Sequence, residues 1–482
     1  MIRKFLILVF ICFINISTVF AVNEPQRYKT LEDFNTAMEK FKSSNVSIAY
    51  NEFEKIVEES PSDNDYINIV LSGKLSDIGF YNLADKAKSK IKDYELAEIP
   101  LKNIDIIFFQ NKKIDVEDEI YLGECYSDIV YNNMSKEIAR DLTSNNELLE
   151  KYDYALYLTA LAWYKNNNIP MADKYLTEAV TKNPKNIQYK YLQAKILADK
   201  GFKDKALKLA ESIKKEIILT DYYDKKYNEI EEYILYKTSK EDFIKDYHLA
   251  YYYYYRGDNL RSLKVMPTVM SKNKNENAKI YALISKNYVA LKDYEKAFQN
   301  ARTAHKQNKK NIDALIILGD LEYQKEDYKN ALKYFKYAQQ YDKNNYTANI
   351  AAVKTYIKLD KKLKAQNILN NILKNPSNYY EAYYLEALVN KKDAEQSLKT
   401  ALGLNSEFID GWLELANFEI QNSNYTKAQI YLNNAYNLDQ NYYKYYYYQG
   451  LLYKKKNNIE KANFNFNKSK TLSLEYIAKK KD

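Results

Sequence analysis

The sequence predicts an all-α protein built as a solenoid of stacked helix–turn–helix repeats. Residues 312–345 hold two amphipathic helical patterns separated by a short polar break at 326–328. In each pattern the apolar residues recur at the three- and four-residue spacing of one helix face. Helices this short are marginal alone in water, so each pair must bury its apolar face against a neighbour. The residues on the two faces are Leu315, Leu318, Gly319 and Glu322 in the first helix and Ala331, Phe335 and Ala338 in the second.

A small residue that opens the second helix recurs along the chain with a fixed period. Its positions keep a 34-residue period in two series, and one shorter step joins the series. The chain has 9 glycines and 7 prolines in 482 residues, which indicates long helices and few loops. A solenoid grows from nearest-neighbour contacts, so the repeat overrides the several domains that length alone suggests. The recurring residues are Ala297, Ala331, Ala365, Ala394, Ala428 and Ala462.

The repeats also share an order of large and small residues. Its clearest examples are Trp412, Leu415, Ala416, Ala428, Leu432 and Ala435, then Tyr446, Gly450, Tyr453, Ala462 and Phe466, and then Tyr281, Ile284, Ser285, Tyr288, Ala297 and Ala304. This pattern, with its 34-residue period, resembles the tetratricopeptide repeat (TPR) family. The resemblance implies a right-handed superhelix in which the first helix of each repeat, helix A, lines a concave groove and helix B lies behind it. It also implies a protein or peptide as the partner.

Two breaks in the spacing interrupt the repeats. Ser262 follows Ala206 by more than one and a half repeat periods. The excess residues indicate one additional helix, and we predict an irregular joint at this place. A similar excess between Ala84 and Ala139 predicts either an extra helix at 104–109 or a degenerate repeat. The predicted division is a signal peptide at 1–21, an N-terminal repeat block at 22–213, a joint at 214–245, and a C-terminal block at 246–482 that ends in a capping helix at 472–482.

The first residues have the pattern of a secretory signal peptide. Arg3 and Lys4 precede an apolar run at 5–16, and small residues at the cleavage positions end with Ala21. We therefore expect a mature chain that begins at Val22 and is periplasmic or extracellular. The alternative is an uncleaved anchor. The apolar run is short for a transmembrane span, and no later segment is apolar enough for one.

The charge of the chain is unevenly distributed. Residues 22–150 carry 15 Lys/Arg against 26 Asp/Glu, although the whole chain has a formal charge of +9. The basic remainder either steers partners of opposite sign or forms a solvated outer surface. Nucleic acid is not predicted as a partner, because the protein is expected to be exported and the basic residues form no recognisable nucleic-acid motif.

The sequence carries few groups suited to catalysis or metal binding. His248 and His305 are the only histidines, and no zinc motif, Gly-x-Ser-x-Gly elbow or phosphate-binding loop is present. Cys125 is the one cysteine after the signal, so it is either a buried small hydrophobe or an intermolecular partner. We predict a non-enzymatic protein without cofactor or metal; the alternative is an enzyme with an unrecognised active site.

The resemblance places the candidate binding residues at positions two, five, nine and twelve of helix A. A wall that mixes tyrosine, lysine and aspartate suits an extended peptide or a helix laid in the groove. The tyrosine clusters 251–255 and 445–448 serve either packing or recognition, because successive helical residues point about 100° apart. The candidate binding residues are Tyr157, Tyr164, Lys286, Asp320, Tyr323 and Lys354.

Together these observations predict an exported, non-enzymatic scaffold that binds a peptide or protein segment in its concave groove. The alternative is an accessory protein of cell-envelope assembly or polysaccharide export, with an envelope component or a glycan in the groove. The repeat pattern is specific for the fold but does not identify the partner.

Overall fold

A computed structural model describes residues 27–60, 65–92, 114–216, 221–272, 277–374, 379–405 and 407–481. Within these ranges all regular secondary structure is helical. The expected signal peptide at 1–21 and the segment 104–109 lie outside the described residues.

The described helices are numbered in chain order. They are α1 (Arg27–Lys42), α2 (Val46–Glu59), α3 (Asp65–Asp77), α4 (Tyr81–Lys88), α5 (Val116–Val130), α6 (Ser135–Ser144), α7 (Asn146–Lys151), α8 (Asp153–Lys165), α9 (Ile169–Lys182), α10 (Ile187–Asp199), α11 (Lys203–Glu216), α12 (Asp221–Thr238), α13 (Asp242–Tyr255), α14 (Asn259–Lys272), α15 (Ala278–Ala290), α16 (Tyr294–Gln307), α17 (Ile312–Gln324), α18 (Tyr328–Tyr341), α19 (Tyr346–Lys358), α20 (Lys362–Ile372), α21 (Tyr380–Val389), α22 (Ala394–Leu404), α23 (Ile409–Gln421), α24 (Tyr425–Leu438), α25 (Tyr443–Lys455) and α26 (Ile459–Lys481).

The helices pack in the order in which they follow one another. From α15 to α26 each helix contacts the next one, and the helix A of one repeat also touches the helix A of the following repeat, as α17 does with α15 and α19. Every repeat therefore completes the core of its neighbour, which is the packing expected of a solenoid. The prediction of an all-α solenoid is confirmed.

The core of each repeat depends on small residues where helix A and helix B cross. Ala331 and Ala428, which open helix B in their repeats, have no exposed surface. Gly319 on α17 lies so close to α18 that an added Cβ would stand 2.3 Å from a ring carbon of Phe335. The same arrangement recurs between Gly450 on α25 and a phenylalanine ring on α26. A side chain of ordinary size at these points would force the two helices apart.

The turn between helix A and helix B has its own recurring backbone conformation. Its central residue has a positive φ in most repeats, a conformation that costs ordinary residues roughly 1–2 kcal/mol. No single residue type fills the position, so the sequence alone does not reveal it. Within the described residues of the turn at 390–393, φ stays negative, and the preceding α21 has 10 residues instead of the 13 of α17. The left-handed residues are Ser44, Gly79, Asn133, Asn167, Gly201, Gly257, Lys292, Glu326, Asp360, Ser423 and Asn457.

The C-terminal end and the predicted joint differ in detail from a simple repeat. The sequence predicts a separate capping helix at 472–482, but α26 runs without a break from Ile459 to Lys481. Long helix formers continue through the segment with no glycine or proline to stop it. Within the predicted joint at 214–245, α12 packs against α10 and α11 and against α13. The division of the chain into two blocks stays a prediction.

The first described helix also touches the C-terminal repeats. α1 lies against α24. Both helices contribute side chains to one apolar cluster, including Phe34 of α1 and Leu432 of α24. The superhelix thus brings segments from nearly opposite ends of the sequence into contact. α1 therefore packs against the C-terminal repeats as well as against its neighbours in sequence.

Two further expectations concern Cys125 and membrane spans. The Cys125 side chain is 1% exposed within an apolar cluster, and burial raises the pKa of its thiol to about 12. It is therefore a buried, protonated thiol in the core. Across the described part of the chain, none of the helices combines the length and the apolar character that a membrane span needs.

The close crossing of α17 and α18 leads to a stability prediction. Gly319→Ala should lower the urea midpoint by an amount corresponding to about 1–3 kcal/mol, because the new methyl group overlaps the buried Phe335 ring. In a Phe335→Leu background, which leaves room, the same substitution should be neutral or stabilising because alanine favours the helix. A double-mutant cycle monitored by circular dichroism measures this coupling. Equal effects of Gly319→Ala in both backgrounds would contradict the prediction.

Candidate functional site

A cavity of about 900 Å³ opens on the N-terminal half of the solenoid, and we call it the N-terminal groove. Its walls come from α1, α3, α5, α8, α10, α12 and α13. The groove is lined by a mixture of tyrosines, cations and fewer carboxylates. The tyrosines are Tyr126, Tyr131, Tyr157, Tyr164, Tyr191 and Tyr252; the cations are Lys42, Lys74, Lys165, Lys195, Lys226 and Arg256; and the carboxylates are Glu39, Asp77 and Glu229.

The repeat spacing explains how part of the groove is built. Tyr157 on α8 and Tyr191 on α10 are one repeat period apart, as are Leu161 and Lys195, and both pairs line the groove. Equivalent positions of successive helices A lie side by side in a solenoid, so one helix face extends across several repeats. α12 belongs to the irregular part of the chain and extends the same wall.

A network of polar contacts fixes the wall formed by α8, α10 and α12. The hydroxyl groups of Tyr164 and Tyr233 donate hydrogen bonds to the Asp199 carboxylate at 2.8 and 2.9 Å. Lys237 pairs with the same carboxylate at 2.8 Å. Asp199 thus joins three helices, and a network with this many partners restricts movement of the wall.

Three of the groove tyrosines, Tyr157, Tyr191 and Tyr252, have a ring face covered by another protein group. Tyr157 lies between two rings, with its centroid 4.8 Å from Tyr189 and 6.0 Å from Tyr154. The Lys226 ammonium stands 5.1 Å from the centroid of Tyr191. The ring of Tyr252 is covered in the same way by a guanidinium group, 5.4 Å from its centroid. These tyrosines therefore offer ring edges and hydroxyl groups to a ligand, and not open faces for stacking.

The lysines of the groove differ in the partners that they have. Lys42 pairs with Glu39 at 2.8 Å, and Lys195 pairs with Glu229 at 3.3 Å. The Lys165 ammonium instead donates to the carbonyl oxygen of a residue on α5, at 2.8 Å. The Lys165 ammonium is therefore hydrogen-bonded to a neutral oxygen, whereas Lys42 and Lys195 each pair with a carboxylate.

Arg256, on the turn after α13, is in a similar position to Lys165. It donates a hydrogen bond from Nη1 to the hydroxyl oxygen of Tyr252 at 3.1 Å. In the part of the chain that the structure describes, neither Arg256 nor Lys165 forms an ion pair with a carboxylate. Burial lowers the pKa of the Lys165 ammonium, and the nearby guanidinium of Arg256 lowers it further. The carboxylates of Glu229 and Asp258 favour the charge of Arg256, although neither forms an ion pair with it.

The concave wall of the C-terminal repeats is electrostatically different. Lys286 pairs with Asp313 at 2.9 Å, and Lys354 pairs with Glu381 at 2.7 Å. In both pairs the lysine at position nine of one helix A meets the carboxylate at position two of the next. Here the cations are balanced by the protein itself.

Asp320 lies on this C-terminal wall, close enough to Lys354 and Glu381 to be influenced by both. Its carboxylate is open to solvent on one side and surrounded by protein on the others. Loss of hydration raises its pKa to about 7, against the opposing charge of Lys354, and Glu381 raises it further. Asp320 is consequently only partly ionised near neutral pH.

The structure separates the six candidate residues into two places. Tyr157 and Tyr164 line the N-terminal groove. The other four lie on the C-terminal wall, where Asp320 is near Lys354 and the Tyr323 ring packs against an aromatic ring at the start of α18 with 5.2 Å between centroids. That wall also holds Lys286, which pairs with the next repeat.

Sequence reasoning missed several residues of the groove. Tyr191 and Lys195 lie one period after residues of α8, so the 34-residue spacing was a sufficient signal for them. Lys226 and Glu229 come from α12, where the repeat register is lost. Arg256 follows the tyrosine cluster 251–255 and carries no motif. Only the packing of the helices places these last three residues in the groove.

The tyrosine clusters are mainly used in packing. Tyr445 and Tyr446 are buried, and the hydroxyl group of Tyr448 donates to a glutamate of α23 at 2.6 Å. Tyr251 packs against neighbouring tyrosines of α13, whereas Tyr252 reaches the N-terminal groove. The two roles expected for these clusters are thus divided among neighbouring residues.

Comparisons with known proteins identify the repeat type. A family model described as tetratricopeptide repeat matches residues 322–388. Among solved structures, the APC/C hetero-tetramer Cut9–Hcn1 is 12% identical, with 91% of this chain and 92% of that chain covered and a TM-score of 0.46. MamA from Desulfovibrio magneticus RS-1 is 19% identical over 34% of this chain and 96% of that chain, with a TM-score of 0.30.

A third similar structure is PilW, a type IV pilus biogenesis factor. It is 17% identical, with 40% of this chain and 91% of that chain covered and a TM-score of 0.36. A search of the curated proteins found no match.

The environment of Asp320 leads to a prediction about titration. In protein carrying ¹³C-labelled aspartate, the Asp320 carboxyl resonance should titrate with a midpoint near pH 7, against an ordinary value of 3.8. Lys354→Met should raise this midpoint because it removes a favourable positive charge, and Glu381→Gln should lower it because it removes a repelling carboxylate. An ordinary midpoint that neither substitution moves would contradict the prediction.

Proposed function

Since the chain is a tetratricopeptide repeat protein, we propose that it is an exported, non-enzymatic scaffold that binds an extended segment of another protein in the N-terminal groove. The observation that supports this proposal is the groove itself, a cavity of about 900 Å³ with polar groups on a wall built from several helices. Binding sites generally combine such a concave shape with a few fixed polar groups. No cofactor or metal enters the proposed function.

The tyrosine geometry supports a peptide over a glycan in this groove. A ring such as a sugar or a base binds to tyrosine mainly through the open face of the aromatic ring. Three of the six groove tyrosines have a covered face, with Tyr157 between two rings, Tyr191 beneath Lys226 and Tyr252 beneath a guanidinium group. Ring edges and hydroxyl groups suit the amide and carbonyl groups of an extended peptide instead.

A site-specific photo-crosslinking experiment tests the scaffold function. A benzophenone amino acid replaces Gln188, which lines the groove, or Lys208, which is exposed on α11 of the same repeat. Each protein is irradiated in an envelope extract of its source. We expect protein adducts from position 188 that position 208 does not give, and mass spectrometry should map them to one contiguous segment of the partner.

Other outcomes of this experiment decide between the alternatives. Equal adducts from positions 188 and 208 would contradict binding in the groove. Glycan retained by the position-188 protein, without protein adducts, would favour the polysaccharide-export alternative. An envelope protein as the mapped partner would place the scaffold in envelope assembly, with the groove as its binding site.

The proposal of export has its own test. We expect protein recovered from the periplasmic or extracellular fraction to begin at Val22, because the small residues before it suit signal peptidase. Edman sequencing and intact-mass measurement identify the first residue. A chain that retains residues 1–21 in the membrane fraction would support the uncleaved anchor, and an unprocessed chain in the cytosol would contradict export.

A further inference from the structure

The lining of the N-terminal groove contains more cations than carboxylates, six against three among the described residues. Glu39 and Glu229 each pair with a lysine of the groove, and Asp77 lies near Lys74 and Lys226, whose charges act on it. In the described residues, these are the carboxylates that line the groove.

Lys165 and Arg256 form no ion pair with a carboxylate among the described residues, although Glu229 and Asp258 act on the Arg256 charge from a distance. Both cations line the same cavity, and their hydrogen bonds go to neutral oxygens, namely the Ile129 carbonyl and the Tyr252 hydroxyl. Like charges in a partly dehydrated cavity repel each other more strongly than they do in water. An anion between them would be attracted by both and would remove that repulsion.

The C-terminal wall provides an internal comparison. There, Lys286 and Lys354 meet Asp313 and Glu381 from the following repeat. The same chain thus supplies counter-charges along one part of its concave face and leaves them out in another. This difference is expected if the partner supplies the missing counter-charge in the N-terminal groove.

We propose that the N-terminal groove is specific for an acidic extended peptide, one carboxylate of which is held between Lys165 and Arg256. This inference rests on the proposed scaffold function and names the chemistry of its partner. Carboxylates accept charge-assisted hydrogen bonds from both ammonium and guanidinium groups, and the guanidinium can bind both oxygens. Next to Lys165, the Tyr164 hydroxyl is held by its hydrogen bond to Asp199, which also accepts from Tyr233.

The other charges of the groove limit which anion fits. A polyanion with a charge on every unit, such as nucleic acid or a sulfated polysaccharide, would also meet Glu39, Asp77 and Glu229. The covered faces of Tyr157, Tyr191 and Tyr252 are poor platforms for bases or sugar rings. A peptide with acidic side chains spaced among neutral ones avoids both obstacles.

Fluorescence anisotropy with defined peptide pools tests the proposal. Three labelled pools of equal length carry Asp/Glu, Asn/Gln or Lys/Arg at alternating positions, with the same neutral residues between them. We expect the acidic pool to bind at least about tenfold more tightly than the amide pool, as charged hydrogen bonds predict. Raising the salt concentration should weaken this binding, because screening acts on the charges.

Matched variants locate the site. The double variant Lys165→Gln/Arg256→Gln should lose the preference for the acidic pool, whereas Lys165→Arg/Arg256→Lys, which keeps both charges, should retain it. Lys333→Gln/Lys336→Gln removes the same number of charges from exposed positions on α18 and should leave binding unchanged. Thermal melts of all variants show whether the fold is retained, and the charge-conserving pair separates charge from a structural role.

Several outcomes would overturn acidic specificity. They can be distinguished from a failure of the scaffold function itself. Equal binding of the acidic and amide pools would refute acidic specificity and leave peptide binding intact. Tighter binding of heparin or oligo-dT than of the acidic pool would assign the charges to a polyanion. Absence of binding by any pool would also refute acidic specificity. In that case the adducts at position 188 decide whether the scaffold function stands.

Discussion

The structure depends on the close crossing of two short helices that cannot bury their apolar faces alone. Gly319 and Ala331 leave room at this crossing, and Phe335 fills the space that remains. Because each pair still has apolar surface to cover, it must pack on the next pair, and the chain becomes a solenoid. The left-handed residue between the helices, such as Glu326, sets the angle at which the second helix returns. The repeat period is therefore a consequence of packing geometry.

This stacking also creates the functional surface. Equivalent helix A positions meet across repeats, so a residue acts together with those one period away. On the C-terminal wall the result is a series of ion pairs, with Lys354 and Glu381 as one example. In the N-terminal groove cations from several helices come together, and Lys165 and Arg256 form no ion pair with a carboxylate among the described residues. One architecture thus yields a self-balanced wall and a groove prepared for an anion.

The abundant tyrosines contribute mainly through their packing. Tyr157 is held between two other rings, and Tyr164 and Tyr233 donate to the shared Asp199 carboxylate. Their apolar faces fill the spaces between helices, while their hydroxyl groups remain available to polar partners. This division of roles lets the protein carry 51 tyrosines and still present a polar groove.

The fold could be predicted from the sequence alone, because a 34-residue recurrence of Ala297, Ala331 and Ala365 leaves few ways to bury the helices. It also placed Tyr157 and Tyr164 on the groove, since their helix is in regular register. Which cations of the groove lack an ion-paired carboxylate follows from the packing of the helices and not from residue spacing. Local periodicity predicts which face of a helix is buried. The groove also needs α12 and α13, where the repeat register is irregular, and α1, which contacts α24 near the other end of the chain. Ion pairing between repeats depends on distances of a few ångströms, which residue spacing does not specify.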